Sequence, residues 1–342
     1  MRVSHVLLAA LVATLPLAGI ATPEHPARTL LAISKVDHTL CVIDPDTLKV
    51  IARLPVGPDP HEVVASADGT RAYVSNTGYG LFHEINVLDL EHLKALPSID
   101  TAPLLGPHGL AYVQDKLWFT AQGSQSVARY DPEAGKVDWV MGTGQNTTHM
   151  LYVRPDAKAL YTTNVDSGTV SLLREVMVEP TVPPTGVLPA GAKPHLDWRQ
   201  TPVKVGQGAE GLDVSADGRQ LWTATPKGVL SIVDLDTAKV HQQDLHMTGA
   251  HRLGISPDGK YVIVASVGTG ELLVLDAKTR QEVKRLKAGR GAALLMDPVD
   301  NRAFISCTPD NKIVIFDFKT LEVASELDVG GRPDGMAWAV RD

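Results

Sequence analysis

Residues 40–50 read LCVIDPDTLKV, and the same shape returns along the chain. It recurs as INVLDLEHLKA from Ile85, VARYDPEAGKV from Val127, LSIVDLDTAKV from Leu230, LLVLDAKTRQE from Leu272 and IVIFDFKTLEV from Ile313. Each copy is a short apolar run, an Asp, a turn and a second short run. The Asp residues are Asp44, Asp89, Asp131, Asp234, Asp276 and Asp317, about 42 residues apart except for one double interval after Asp131. A further copy, VSLLREV from Val170, fills that interval with Arg174 in place of Asp and an insert behind it. A period of this length marks a repeat architecture, here with seven units.

Each unit carries an earlier strand as well: LLAIS from Leu30, AYVSN from Ala72, LWFTA from Leu117, LYTTN from Leu160, LWTAT from Leu221, YVIVA from Tyr261 and AFISC from Ala303. Ahead of that strand lies another, ending in a turn such as SADG, SPDG or RPDA. Four short strands per unit with no helical period predict a β-propeller. The chain opens at Leu30 on a second strand and finishes on Asp334-Gly335-Met336-Ala337-Trp338, which fits a first strand. The expected fold is therefore all-β: a seven-bladed propeller of four-stranded blades over residues 29–342, closed by the C-terminal strand joining the N-terminal blade. Closure of that kind leaves no open seam.

Tyr73-Val74-Ser75-Asn76 and Tyr161-Thr162-Thr163-Asn164 resemble the repeat signature of the YVTN family of seven-bladed propellers. The blade entry Val56-Gly57-Pro58-Asp59-Pro60 and the SxDG turns are similar to that family too, over nearly the whole mature chain. The resemblance implies a secreted or periplasmic propeller and carries no catalytic residue with it.

The N-terminus points to the same address. Arg2, an apolar run from Val6 to Ile20 and the small-residue site Gly19-Ile20-Ala21 read as a signal peptide over 1–21, with a linker over 22–28. The run is too short for a comfortable membrane span, so none is expected in the mature protein. Only Cys41 and Cys307 are present, expected as buried free thiols rather than a disulfide framework. A formal charge of −7 disfavours nucleic acid as a partner. The basic stretch from Lys278 to Arg290 reads as a charged outer edge strand.

One register carries chemistry. His61 lies seven residues before the turn residue Asp68, and His108, His149 and His251 lie seven before Asp115, Asp156 and Asp258. Glu210 takes the same slot before Asp217, Ala292 takes it in the seventh unit and Asp334 in the closing strand. Chance would place roughly 0.24 His in seven slots, given the His content of the chain, and four are there. The slot begins the innermost strand of each blade, so these side chains can converge on the axis. Neutral imidazoles with carboxylates suit a divalent transition metal such as Cu, Fe or Zn. Glu210 and Asp334 serve as ligands or as partners that orient a ligating His.

Loops sharing that face are expected to wall a pocket for a small molecule. Its candidate residues are His38, Tyr79, Phe82, His83 and Asn164, with Tyr79 and His83 as catalytic candidates. The Pro-rich insert over 175–200 shows no clear strand pattern and joins the third and fourth strands of blade 4. That places it on the opposite face, as a docking loop for a protein partner. Two functional readings stand: a metal-dependent enzyme, oxidative or hydrolytic, acting on a small molecule; or a non-enzymatic propeller that binds a protein, peptide or metal ion. A monomer is expected in either case.

Overall fold

The computed structural model describes residues 26–182, 184–188 and 190–341; the expected signal peptide lies outside them. The described chain forms seven sheets of four antiparallel strands each, a seven-bladed β-propeller. Blade 1 takes Pro333–Val340 as its innermost strand, followed by Arg28–Ser34, Thr39–Asp44 and Lys49–Pro55. Leu30 pairs with Trp338 and Leu31 with Ala337, so the chain's end closes the ring as its sequence predicts. Blades 2 to 7 each use four consecutive strands.

The recurring Asp shapes the outer hairpin. Asp44 Oδ1 accepts the backbone N–H groups of Asp46 and Thr47, and Asp89, Asp131, Asp276 and Asp317 repeat the pattern. A side-chain oxygen that takes these donors fixes a tight turn. Blade 4 has Arg174 there, and its hairpin does not turn. Pairing runs on to Val178↔His195, making two ten-residue strands, Thr169–Val178 and His195–Lys204. Much of the expected excursion over 175–200 is thus an extended hairpin, and only residues 179–194 lie between its strands. Strand direction alternates through each blade, so this hairpin ends opposite the starts of the innermost strands.

Middle strands are buried on both faces and read as continuous apolar runs, Val262-Ile263-Val264-Ala265 among them. Outer strands alternate, as Lys49–Pro55 does. The core lies between blades: Leu31, Leu40 and Val42 of blade 1 pack against Val63, Val74 and Leu88 of blade 2. Cys41 and Cys307 are buried and free. Glu282–Lys287 is the outermost strand of blade 6, where Lys284 meets Glu322 of blade 7. No helix of the described residues is long and apolar enough to cross a membrane.

Candidate functional site

At the ring slot the innermost strands break register. Pro60 pairs with Asn76 and then Val63 with Val74, so His61 and Glu62 together face Ser75. Blade 3 repeats this with His108 and Gly109 against Thr120, and blade 4 with His149 and Met150 against Thr163. Two residues opposite one is a β-bulge, which re-aims side chains and leaves backbone groups unpaired. The opposing hydroxyl satisfies them. Ser75 Oγ accepts Glu62 N–H at 3.1 Å, Thr120 Oγ1 accepts Gly109 N–H at 2.8 Å, and Thr163 Oγ1 accepts Met150 N–H at 3.1 Å. Each hydroxyl then donates to a ring carbonyl of the next blade: Ser75 to His108, Thr120 to His149, Thr163 to Glu210. Ser306 does the same for Asp334 at 2.7 Å. These hydroxyls tie the ring from blade to blade at four of its junctions.

All seven slot residues line one axial cavity of about 270 Å³. The imidazoles of His61 and His108 lie 4.8 Å apart between centroids, and those of His108 and His149 lie 3.8 Å apart. Glu210 Oε2 stands 2.8 Å from His251 Nδ1 and 3.9 Å from His149 Nε2. Gln122 Oε1 is 3.2 Å from His149 Nδ1, which fits a protonated Nδ1 and an Nε2 lone pair facing the cavity. His108 Nδ1 is buried with no hydrogen-bond partner among the described residues. Lys35 Nζ donates to His61 Nε2 at 2.7 Å and sits 3.4 Å from Asp59 and 3.3 Å from Asp334.

Burial, with the neighbouring imidazoles and the cations Arg252 and Lys35, pushes His108 well below the usual imidazole range. Burial also takes His149 down to about 3, outweighing the opposite pull of Glu210. Both rings are therefore neutral near pH 7. Burial opposes ionisation of Glu210, yet the hydrogen bond and charge of His251 hold it at about 2. Asp59 is likewise held well below the carboxylate range, burial being overcome by His61 and Lys35.

The donor chemistry suits a borderline transition ion: imidazoles, two of them held neutral by burial, a carboxylate between two rings, and an orphaned ring nitrogen. The spacing is looser than coordination requires. Among the described residues, no three His, Cys, Asp or Glu side chains already stand in a metal-holding arrangement.

Of the remaining candidates, only Tyr79 lines the outer mouth, a cavity of about 570 Å³ that shares Lys35, His61, His108, His149 and Arg332 with the inner one. The others stand elsewhere. Asn164 is fully buried, its oxygen accepting from Thr148 and Thr162 and its nitrogen donating to Thr169 and Ser171. His83 turns to Asp100 at 2.8 Å, outside both cavities. Phe82 covers Gly78, where a Cβ would stand 2.2 Å from the ring, and His38 is exposed in a turn whose carbonyl accepts Val56 N–H.

Sequence reasoning missed Lys35, Asp59, Glu62, Arg252 and Arg332. Arg252 Nη2 reaches Glu62 Oε1 at 2.6 Å, joining blade 6 to blade 2 one residue past the ring, with both side chains largely buried. The signal was the column after the slot: Glu62, Gly109, Met150, Gly211, Arg252, Ala293 and Gly335. A Cβ at Gly211 would lie 3.0 Å from Arg252 Cα, and one at Gly335 would lie 3.0 Å from Glu62 Oε2. The missing side chains leave room for this pair.

A scan against protein-family models and a search of curated proteins find no match. Solved structures do match. A functionally unknown protein from Desulfotomaculum acetoxidans aligns with a TM-score of 0.71 at 12% identity, covering 92% of this chain and 99% of that one. Hydrazine synthase from Kuenenia stuttgartiensis aligns at 0.69 and 15% identity, covering 86% and 93%. A candidate 6-phosphogluconolactonase from Bacteroides uniformis aligns at 0.68 and 14% identity, covering 91% and 99%. At these identities the likeness is one of fold.

Proposed function

We propose that the axial mouth binds one divalent transition metal ion and presents it to a small molecule held in the outer cavity. His108, His149 and His251 would hold the ion. Glu210 would orient or join them, and Asp334 would stand beside His61. The observation that carries this reading is the buried, partnerless Nδ1 of His108, on a ring 3.8 Å from a second neutral imidazole. Buried polar atoms ordinarily have partners, and this one belongs to a residue that lines the axial cavity, where a ligand would supply the partner. His61 is the weakest ligand of the four, because Lys35 already occupies its Nε2. A bound ion would supply Lewis-acid or redox activation of that small molecule, by oxidative or hydrolytic chemistry. The reading extends to a YVTN-type propeller acting outside the cytoplasm.

The test is elemental analysis of tag-free protein reconstituted in turn with Cu(II), Fe(II) and Zn(II). About one equivalent of one metal is expected, with almost none in the double variant His108→Ala, His149→Ala. Wild-type protein that retains no metal overturns the reading. A metal-free binding site is the second reading, favoured by the lysine clamp on His61 and by the looseness of the imidazole set.

A further inference from the structure

Two cationic groups in the mouth keep unspent donors. Each acid on or behind the wall has a partner: Glu62, behind it, has Arg252, Glu210 has His251, and Asp59 and Asp334 have Lys35 and His61. Arg252 is 7% exposed, donates from Nε to Ala292 O at 3.0 Å, and keeps a buried Nη1 with no partner. The Arg332 side chain lines both cavities, is exposed, and has no ion pair or hydrogen bond among the described residues.

The backbone of Arg332 adds an independent observation. It lies two residues before the ring slot, in a column that reads Asp59, Gly106, Thr147, Gly208, Gly249, Arg290 and Arg332. The chain is left-handed there at Gly106 (φ 67°), Thr147 (55°), Gly208 (84°), Gly249 (72°) and Arg332 (54°). Three of those five positions use glycine, the residue for which that conformation is free of penalty. Blade 1 instead sets a long cationic side chain there, at a conformational cost, facing the cavity.

We propose that the mouth recognises a small molecule bearing a carboxylate or another oxyanion, with Arg332 as the docking group at the rim and Arg252 Nη1 as a second donor in the floor. A guanidinium fork matches such groups in shape and charge. The inference names the substrate class for the metal site proposed above and rests on that reading for the sign of the field. Lys35, Arg252 and Arg332 stand with the carboxylates of Asp59, Glu62, Glu210 and Asp334. A divalent ion turns that balance positive.

The test uses full-length mature protein, metal-loaded and chelator-treated, with metal content counted on each sample. Acetate, oxalate and inorganic phosphate are titrated calorimetrically against wild type and Arg332→Gly. The metal-loaded wild type is expected to bind at least one of them saturably, and the carboxylate and phosphate arms tell the two chemistries apart. Arg332→Gly should weaken that binding by about tenfold or more, with unchanged metal content and an equal or higher Tm, because glycine suits the left-handed position. No binding in either form, or undiminished binding by Arg332→Gly, overturns the proposal. Metal retained without anion binding sinks this inference alone. Arg332-dependent anion binding by wild type that retains no metal after reconstitution supports it and sinks the metal reading.

Discussion

His149 is pressed between the ring of His108 and the carboxylate of Glu210, with Gln122 fixing its other nitrogen. Its imidazole stays neutral in the folded protein down to about pH 3. In the unfolded chain the same group titrates near its ordinary value of about 6.5. Between those values the unfolded chain binds more protons, so folding stability is fully present above about pH 6.5 and falls as the pH drops. One such group contributes a loss of about 1.4 kcal/mol per pH unit in that window. The check is urea unfolding of chelator-treated wild type and His149→Gln at steps from pH 7.5 to 4.5. The stability gap between the two should close steadily as the pH falls below about 6.5. A gap that stays constant across the range sinks this account of His149.

The bulged inner strand and its facing hydroxyl form one unit of construction, and its energetics can be tested at Thr120. That side chain accepts Gly109 N–H and donates to His149 O at 2.6 Å, in a fully buried setting. Thr120→Ala leaves both backbone groups unpaired and should cost about 1–3 kcal/mol. The loss should appear as a lower urea midpoint at unchanged m value, and Thr120→Ser should keep most of the stability. An alanine variant as stable as wild type would show that the clamp is dispensable. The same unit explains what could be read in advance. Blade count, closure and the ring register follow from short-range patterns: the Asp turn, the SxDG turn and a fixed offset of seven between slot and turn. The Ser and Thr of the signature were visible as letters, while their role depends on a bulge that strand pairing alone reveals. Lys35 and Arg332 reach the mouth from blade 1 with no spacing to mark them, and the Glu62–Arg252 contact across the ring shows in the chain only as a column in which glycines stand beside the pair. Asn164 misled for the opposite reason. It ends a strand on the mouth side, yet the polar groups around it consume both ends of its amide.

Across the whole molecule, the site depends on the ring being closed, since its slots come from seven different blades. The seam lies within blade 1, between Pro333–Val340 and Arg28–Ser34, and blade 7 braces both sides of it. There Arg28 reaches the fully buried Asp297 at 2.5 Å and stacks 4.3 Å over Trp338, while Trp338 Nε1 donates to Met296 O at 2.8 Å. Removing Pro333–Val340 would strip blade 1 of its inner strand, expose the edge of Arg28–Ser34 and take Asp334 and Arg332's flanking strand from the mouth. An open edge beside an apolar sheet face invites association between copies. The blade 4 hairpin offers a matched control, because residues 179–194 lie beyond its paired strands and most of the described ones are exposed. A chain ending at Arg332 should therefore lose its cooperative thermal transition and aggregate. A chain in which a short Gly-Asn-Gly turn replaces residues 179–194 should melt within about 2 °C of wild type, since it loses no core packing. Differential scanning calorimetry with light scattering reads both outcomes. A truncated chain that still melts as one monomeric, cooperative unit would mean that six complete blades hold the ring without its C-terminal strand.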